Sequence, residues 1–186
     1  MSWWDTLPVD VEIDGKKHHI RNNCDYRMVL DVIVALNDES LDQNHRILCA
    51  LTIFYEDITK IKDFETAAKE MMRIINDGEV EEEGSNDSAP PIMNWEQDFK
   101  LIAPPINKVL GVEVRSVPYM HWWTFLGGYK EIGECMFQTV INIRSKRQKG
   151  KKLESWEQEF YKEHKKIVDL PHKLSKEEQE FLDEEW

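Results

Sequence analysis

Apolar and charged residues alternate at the start of the chain: Val9, Val11 and Ile13 are separated by Asp10 and Glu12. A period of two predicts a strand with one face on a core. Asp14-Gly15 supplies a turn that tolerates positive φ, and Lys16 to Ile20 returns, which predicts a hairpin. Such a ribbon is marginal alone and must dock on helices. From Asp25, a good N-cap, the period becomes helical: Tyr26, Val29, Leu30, Ile33 and Leu36 recur at three and four. Met28, Val32 and Val34 widen that stripe, which predicts a helix buried on most sides. A second helix is predicted from Ser40, with Gln43 completing a capping box and Ile47, Leu48, Leu51, Phe54 and Tyr55 facing inward. A third is predicted after Asp63, with Phe64, Ala67, Ala68, Met71, Ile74 and Ile75 inside and Gly78 at its left-handed end.

The pattern then lapses. Glu79 to Pro91 is acidic, small and polar, and buries too little apolar surface to offset the entropy of ordering. Beyond it, Trp95, Phe99, Ile102, Ile106, Val109 and Leu110 make one helical stripe after an Asn94 cap. Pro104-Pro105 is expected to kink or split that helix, and Gly111 to end it. Val112 to Val117 reads as extended. Pro118 fits the first turn of a helix holding Tyr119, Trp122, Trp123 and Leu126, which Gly127-Gly128 should break. Further helices are expected around Ile132, Met136, Val140 and Ile143, around Trp156, Phe160 and Ile167 up to Pro171, and after Ser175, where Glu178 completes a capping box.

The fold class expected is therefore mainly α, a helical domain with a small N-terminal β-hairpin. Residues 1–78 form the hairpin and a three-helix region, 79–93 an acidic flexible linker and 94–186 a C-terminal helical region. The first and last of these are alternatively one compact domain.

Composition narrows the function. Of 186 residues, 24 are basic and 36 acidic, so the net charge of −12 disfavours nucleic acid and anionic membranes as partners. No apolar run approaches the ~20 residues of a membrane span. Met1-Ser2-Trp3-Trp4-Asp5 lacks the basic and apolar regions of a signal peptide. Cys24, Cys49 and Cys135 are far apart and odd in number, which fits neither a disulfide framework nor a structural zinc. The histidines match no zinc spacing, since His18 and His19 are adjacent and Glu163-His164 is not part of a His-Glu-x-x-His motif. No nucleophile motif or phosphate-cradling glycine loop is present. No catalytic residue, metal or cofactor is expected, and the chain reads as a non-enzyme.

Two features remain as candidate partner-binding sites. Arg144, Lys146 and Arg147 open a basic run that ends at Lys152. It suits a solvated helix end, an acidic protein segment or nucleic acid phosphates. The other feature is aromatic: Trp3-Trp4, and Tyr119, His121, Trp122 and Trp123. Core packing competes there with an anchor for another protein. Neighbouring helical positions differ by about 100°, so one of Trp122 and Trp123 is expected to point inward and the other to border a groove.

The order of these pieces resembles a known family. Leu7-Pro8, Val11-Glu12-Ile13-Asp14-Gly15 and Asp25-Tyr26-Arg27 look like the start of the bacteriophage "gene product fifteen" family, found beside the tail genes of long-tailed phages. Asn37-Asp38, the run Arg46 to Leu51 with Phe54-Tyr55, and Asn94 to Val114 continue the likeness. His121-Trp122-Trp123-x-Phe125 resembles its most distinctive motif, and Phe160-Tyr161-x-Glu163-x-Lys165-Lys166 with Leu170-Pro171 its C-terminal helix. Pro104-Pro105 departs from the family pattern. The resemblance implies a tail-assembly chaperone in the host cytoplasm, absent from the mature virion. Its implied partner is the tape-measure protein, with the tail-tube protein, an upstream tail-assembly product and self-association as further candidates. A structural tail-completion or connector protein is the rival role, and a nucleic-acid-binding regulator a second.

Overall fold

The computed structural model describes residues 6–79 and 91–170. The expectations for Trp3-Trp4, for most of the linker and for the helix after Ser175 fall outside these residues.

Strands β1 (Asp10–Ile13) and β2 (Lys16–His19) pair antiparallel, Asp10 opposite His19 and Ile13 opposite Lys16. The turn between them has positive φ at both Asp14 (52°) and Gly15 (70°), the conformation a two-residue hairpin requires. Val11 and Ile13 are buried while Asp10 and Glu12 are exposed, so the period-two reading holds. The hairpin docks as expected: Ile20 forms a bridge with Tyr55, and the Glu56 N–H donates to His19 O at 3.1 Å.

Helix α1 (Tyr26–Leu36) starts at Asp25, whose Oδ1 accepts the Arg27 N–H at 3.0 Å. Helix α2 (Gln43–Phe54) starts later than predicted, at Asp42. Ser40 stays in the loop because Asp38 Oδ1 accepts both its N–H and its hydroxyl, an Asx turn that competes with a helix. Asp42 Oδ1 caps instead, accepting the Asn44 and His45 N–H groups. Leu48 is exposed rather than inside, and Ala50 takes the inward place beside Leu51 and Phe54. Helix α3 (Phe64–Ile75) is capped by Asp63 and ends as predicted, Gly78 at φ +85° returning its N–H to Arg73 O. Phe64, expected inside, is exposed in its first turn.

Helix α4 (Trp95–Leu110) is not split by its prolines. Two amide hydrogens are missing from its ladder, but Ile102, Ala103 and Ile106 around them are fully buried, and that packing outweighs the lost bonds. Residues 112–117 are turns rather than an extended segment. Glu113 O accepts the Ser116 N–H, and the Glu113 carboxylate gathers Arg115 and Asn107. Helix α5 (Trp122–Lys130) begins four residues after Pro118 and runs through Gly127-Gly128 unbroken. A Cβ on Gly128 would lie 2.9 Å from Leu110 Cγ and 3.2 Å from Ile106 Cγ2, so this glycine permits close approach to α4. Helix α6 (Met136–Gln148) excludes Ile132. The predicted helix from Trp156 to Ile167 is two pieces, α7 (Ser155–Glu163) and α8 (Lys165–Val168), divided at His164.

Among the described residues the chain clusters into two units, one holding residues 6–79 and 99–135, the other 91–98 and 136–170. Residues 99–135 thus group with the N-terminal region. In the first unit Tyr26, Phe99 and Phe125 stack, with Tyr26 and Phe125 centroids 4.4 Å apart. In the second, Phe137, Val140, Ile143 and Val168 are buried together with Asp98 and Arg144.

Candidate partner-binding site

The segment from Tyr119 to Trp123 lies in the first unit, where it ties several elements together. Tyr119 precedes α5 and so does not share a helical face with the tryptophans. Its ring is exposed, and its hydroxyl donates to Asn23 O at 2.9 Å. Asn23 belongs to a run of left-handed residues, Asn22, Asn23 and Cys24, with φ of 51°, 52° and 61°. Asparagine tolerates this conformation, which costs more at cysteine. Asp25 follows directly. Its Oδ2 accepts the Met120 N–H at 3.0 Å, and the Tyr26 N–H donates to Met120 O at 2.9 Å.

His121 is 2% exposed and serves as the N-cap of α5. Its Nδ1 accepts the Trp123 N–H at 3.1 Å and its Nε2 faces Pro8 O at 2.9 Å. An amide donor on one nitrogen and a carbonyl on the other require the neutral ring with its proton on Nε2. Burial pushes the His121 pKa down from 6.5, the Pro8 hydrogen bond opposing it. Both nitrogens are occupied, so the ring has no free lone pair for proton transfer or metal ligation.

The two tryptophans cap the far end of α3. The indole N–H of Trp122 donates to Ile75 O at 2.9 Å and that of Trp123 to Ile74 O at 2.8 Å. These carbonyls belong to the last turn of α3, where no amide four residues on is available within the helix. Trp122 is buried and Trp123 half-buried, its ring edge 3.5 Å from where a Cβ on Gly78 would stand.

The basic residues sit in the second unit. Arg144 is buried, its guanidinium forked onto Asp98 at 2.6 and 2.9 Å, with further bonds to the carbonyls of Ile92, Ile167 and Val168. Lys146 donates to the buried Glu157 at 2.6 Å, and that hydrogen bond holds the carboxyl below its usual range. Arg147 pairs with Asp169 at 2.5 Å and lies over the Tyr161 ring. The three cations are thus turned onto their own unit. Lys149, Lys151 and Lys152 of the same run are exposed.

Sequence reasoning identified His121 and both tryptophans but not what they hold. Pro8 O, Asp25 and the Asn22–Cys24 turn are distant in sequence, and a backbone carbonyl that accepts a side chain leaves no mark in a residue pattern. The buried Asp98–Arg144 pair was also missed, because each residue alone resembles a solvated charge. Among the described residues no group of three or more His, Cys, Asp or Glu side chains is placed to hold a metal ion. Among them, too, no helix is long and apolar enough to cross a membrane.

No curated protein and no solved structure matches the chain. The family model described as "Bacteriophage Gp15 protein" matches residues 4–170. That span includes the hairpin, all the described helices and the His121-Trp122-Trp123 clamp, and the chain belongs to the bacteriophage Gp15 protein family.

Proposed function

We propose that this phage protein is a tail-assembly chaperone that binds the tape-measure protein and holds it until tube protein polymerises around it. Membership of the Gp15 family is the observation that carries the reading. A tape-measure protein is a long helical chain whose apolar stripes would aggregate if left bare. A helical binder can cover such a stripe by helix-in-groove packing and still be displaced, because no covalent step is involved. The exposed apolar side chains on this protein's helices, Leu48, Val109, Met136 and Trp156 among them, suit that use. The role is non-catalytic and uses no cofactor.

Co-expression with the neighbouring tape-measure protein, followed by pull-down, tests the proposal. A stoichiometric complex, with the protein missing from purified virions by mass spectrometry, is the expected result. Fixed copies in the virion and no complex would instead indicate a structural tail component.

A further inference from the structure

Helix α1 is apolar nearly all round: between Met28 and Leu36 only Asp31 is charged. A helix of that kind is ordinarily buried on every side. Here Met28, Val29 and Val32 are buried, whereas Leu30, Ile33, Val34 and Leu36 each keep part of their surface exposed. Helix α2 packs along α1, and its outward positions are Gln43, Asn44, His45, Leu48, Cys49 and Thr52, with no lysine, arginine or carboxylate among them. Leu48 stands 45% exposed in the middle of that stretch. A chain in which 32% of residues are charged thus places a single carboxylate, Asp31, and no lysine or arginine at the exposed positions of this helix pair.

The charge on this side and in the adjoining loop has one sign. Asp31, Asp38, Glu39 and Asp42 lie on α1 and in the loop to α2, and no lysine occurs between Lys17 and Lys60. The three arginines of that stretch are turned onto their own chain. Arg21 donates to the carbonyls of Thr52, Ile53 and Tyr55 at the end of α2. Arg27 pairs with Asp25 and reaches Val114 and Val117 O, and Arg46 Nε donates to Leu41 O. An apolar strip bounded by carboxylates repels a second copy of itself and attracts an apolar stripe flanked by cations.

We propose that the outer side of the α1–α2 pair is a docking surface for an amphipathic helix whose apolar stripe is flanked by lysine or arginine. The choice of a helical partner rests on the tail-assembly reading, and such a helix would be the tape-measure segment that this protein covers.

The test uses a fluorescent helical peptide of about 20 residues, a leucine stripe flanked by lysines, and a twin flanked by glutamates. Anisotropy titrations are run on the full chain, on Leu48→Asp and on the double variant Asp31→Lys/Glu39→Lys, all three checked for an unchanged melt. The lysine peptide should bind the parent chain. Leu48→Asp should weaken it by about tenfold or more, although the added negative charge would strengthen a merely electrostatic attraction. The double variant should lose the lysine peptide and gain the glutamate twin. Equal binding by parent and variants, no binding by the parent, or a dimer in sedimentation that Leu48→Asp abolishes would each overturn the proposal. Pull-downs with the tape-measure protein separate the two readings. If the parent binds peptide but not tape measure, the surface stands and the chaperone role fails. If Leu48→Asp loses peptide yet keeps tape measure, the surface is not the one the chaperone uses, and the assignment of this partner is overturned.

Discussion

Trp122 and Trp123, adjacent in sequence, donate their indole N–H groups to the adjacent carbonyls of Ile75 and Ile74. Two side chains some 100° apart around one helix thereby converge on the end of another. Trp122 is the inward ring, at 2% exposure, and Trp123, also hydrogen-bonded to α3, is half-buried. Trp122→Ala should destabilise the fold by about 3–5 kcal/mol. Trp123→Phe keeps most of the apolar body and removes the N–H, so it should cost about 1–2 kcal/mol. Urea denaturation of the two variants checks both figures. A Trp123→Phe melt identical to the parent's would show that its hydrogen bond contributes nothing.

Gly127 and Gly128 are neighbours in α5 with opposite expected responses to alanine. A Cβ on Gly127 meets nothing within 4 Å, so Gly127→Ala should stabilise by up to about 1 kcal/mol through helix propensity. A Cβ on Gly128 meets Leu110 Cγ at 2.9 Å, a branch carbon rather than a free chain end. Gly128→Ala should therefore destabilise by about 1–3 kcal/mol. Thermal melts of the pair give the signs directly.

The Arg144–Asp98 pair is buried on both sides, with side-chain exposures of 5% and 0%. Removing one partner leaves an uncompensated charge in a poorly solvated place. Arg144→Ala or Asp98→Ala should each cost about 3–5 kcal/mol. Arg147→Ala, which breaks a partly exposed pair, should cost about 1 kcal/mol or less. Equal effects of Arg144→Ala and Arg147→Ala on stability would contradict this ranking.

His121 gives the fold an acid-sensitive point. Its folded pKa lies below the ordinary 6.5, so the unfolded chain binds the proton first as pH falls. The stability held by its neutral form is complete above about pH 6.5 and is lost as pH falls from there through the lower folded value. His19, raised by its hydrogen bond to Asp10, acts in the opposite sense and loses its contribution as pH rises. The difference between parent and His121→Asn isolates the first effect, because asparagine is also a good N-cap. Asn should flatten the acid limb of the stability profile, and an unchanged limb would exclude His121 as its cause.

The three thiols differ in access: Cys24 is buried, Cys135 half-buried and Cys49 exposed. Burial pushes the Cys24 thiol up to about 12. Alkylation of the native protein at neutral pH, followed by peptide mass mapping, should label Cys49 first and Cys24 last.

Local chemistry made much of this protein legible in its sequence. The hairpin follows from alternation and Asp14-Gly15, the starts of α1 and α3 from Asp25 and Asp63, and the end of α3 from Gly78. Each depends on a residue and its near neighbours, and so can be read from order alone. The errors have the opposite character. Pro104-Pro105 and Gly127-Gly128 are helix breakers by propensity, yet α4 and α5 run through them. Buried neighbours hold the first helix, and the second needs Gly128 bare to approach the first. The Asp38–Ser40 Asx turn lost the predicted cap to Asp42 through a choice between two local bonds that composition cannot rank. The aromatic motif was visible, but its work was not. What His121, Trp122 and Trp123 hold are backbone carbonyls of Pro8, Ile74 and Ile75. Every residue carries such a carbonyl, and only folding decides which of them a side chain reaches.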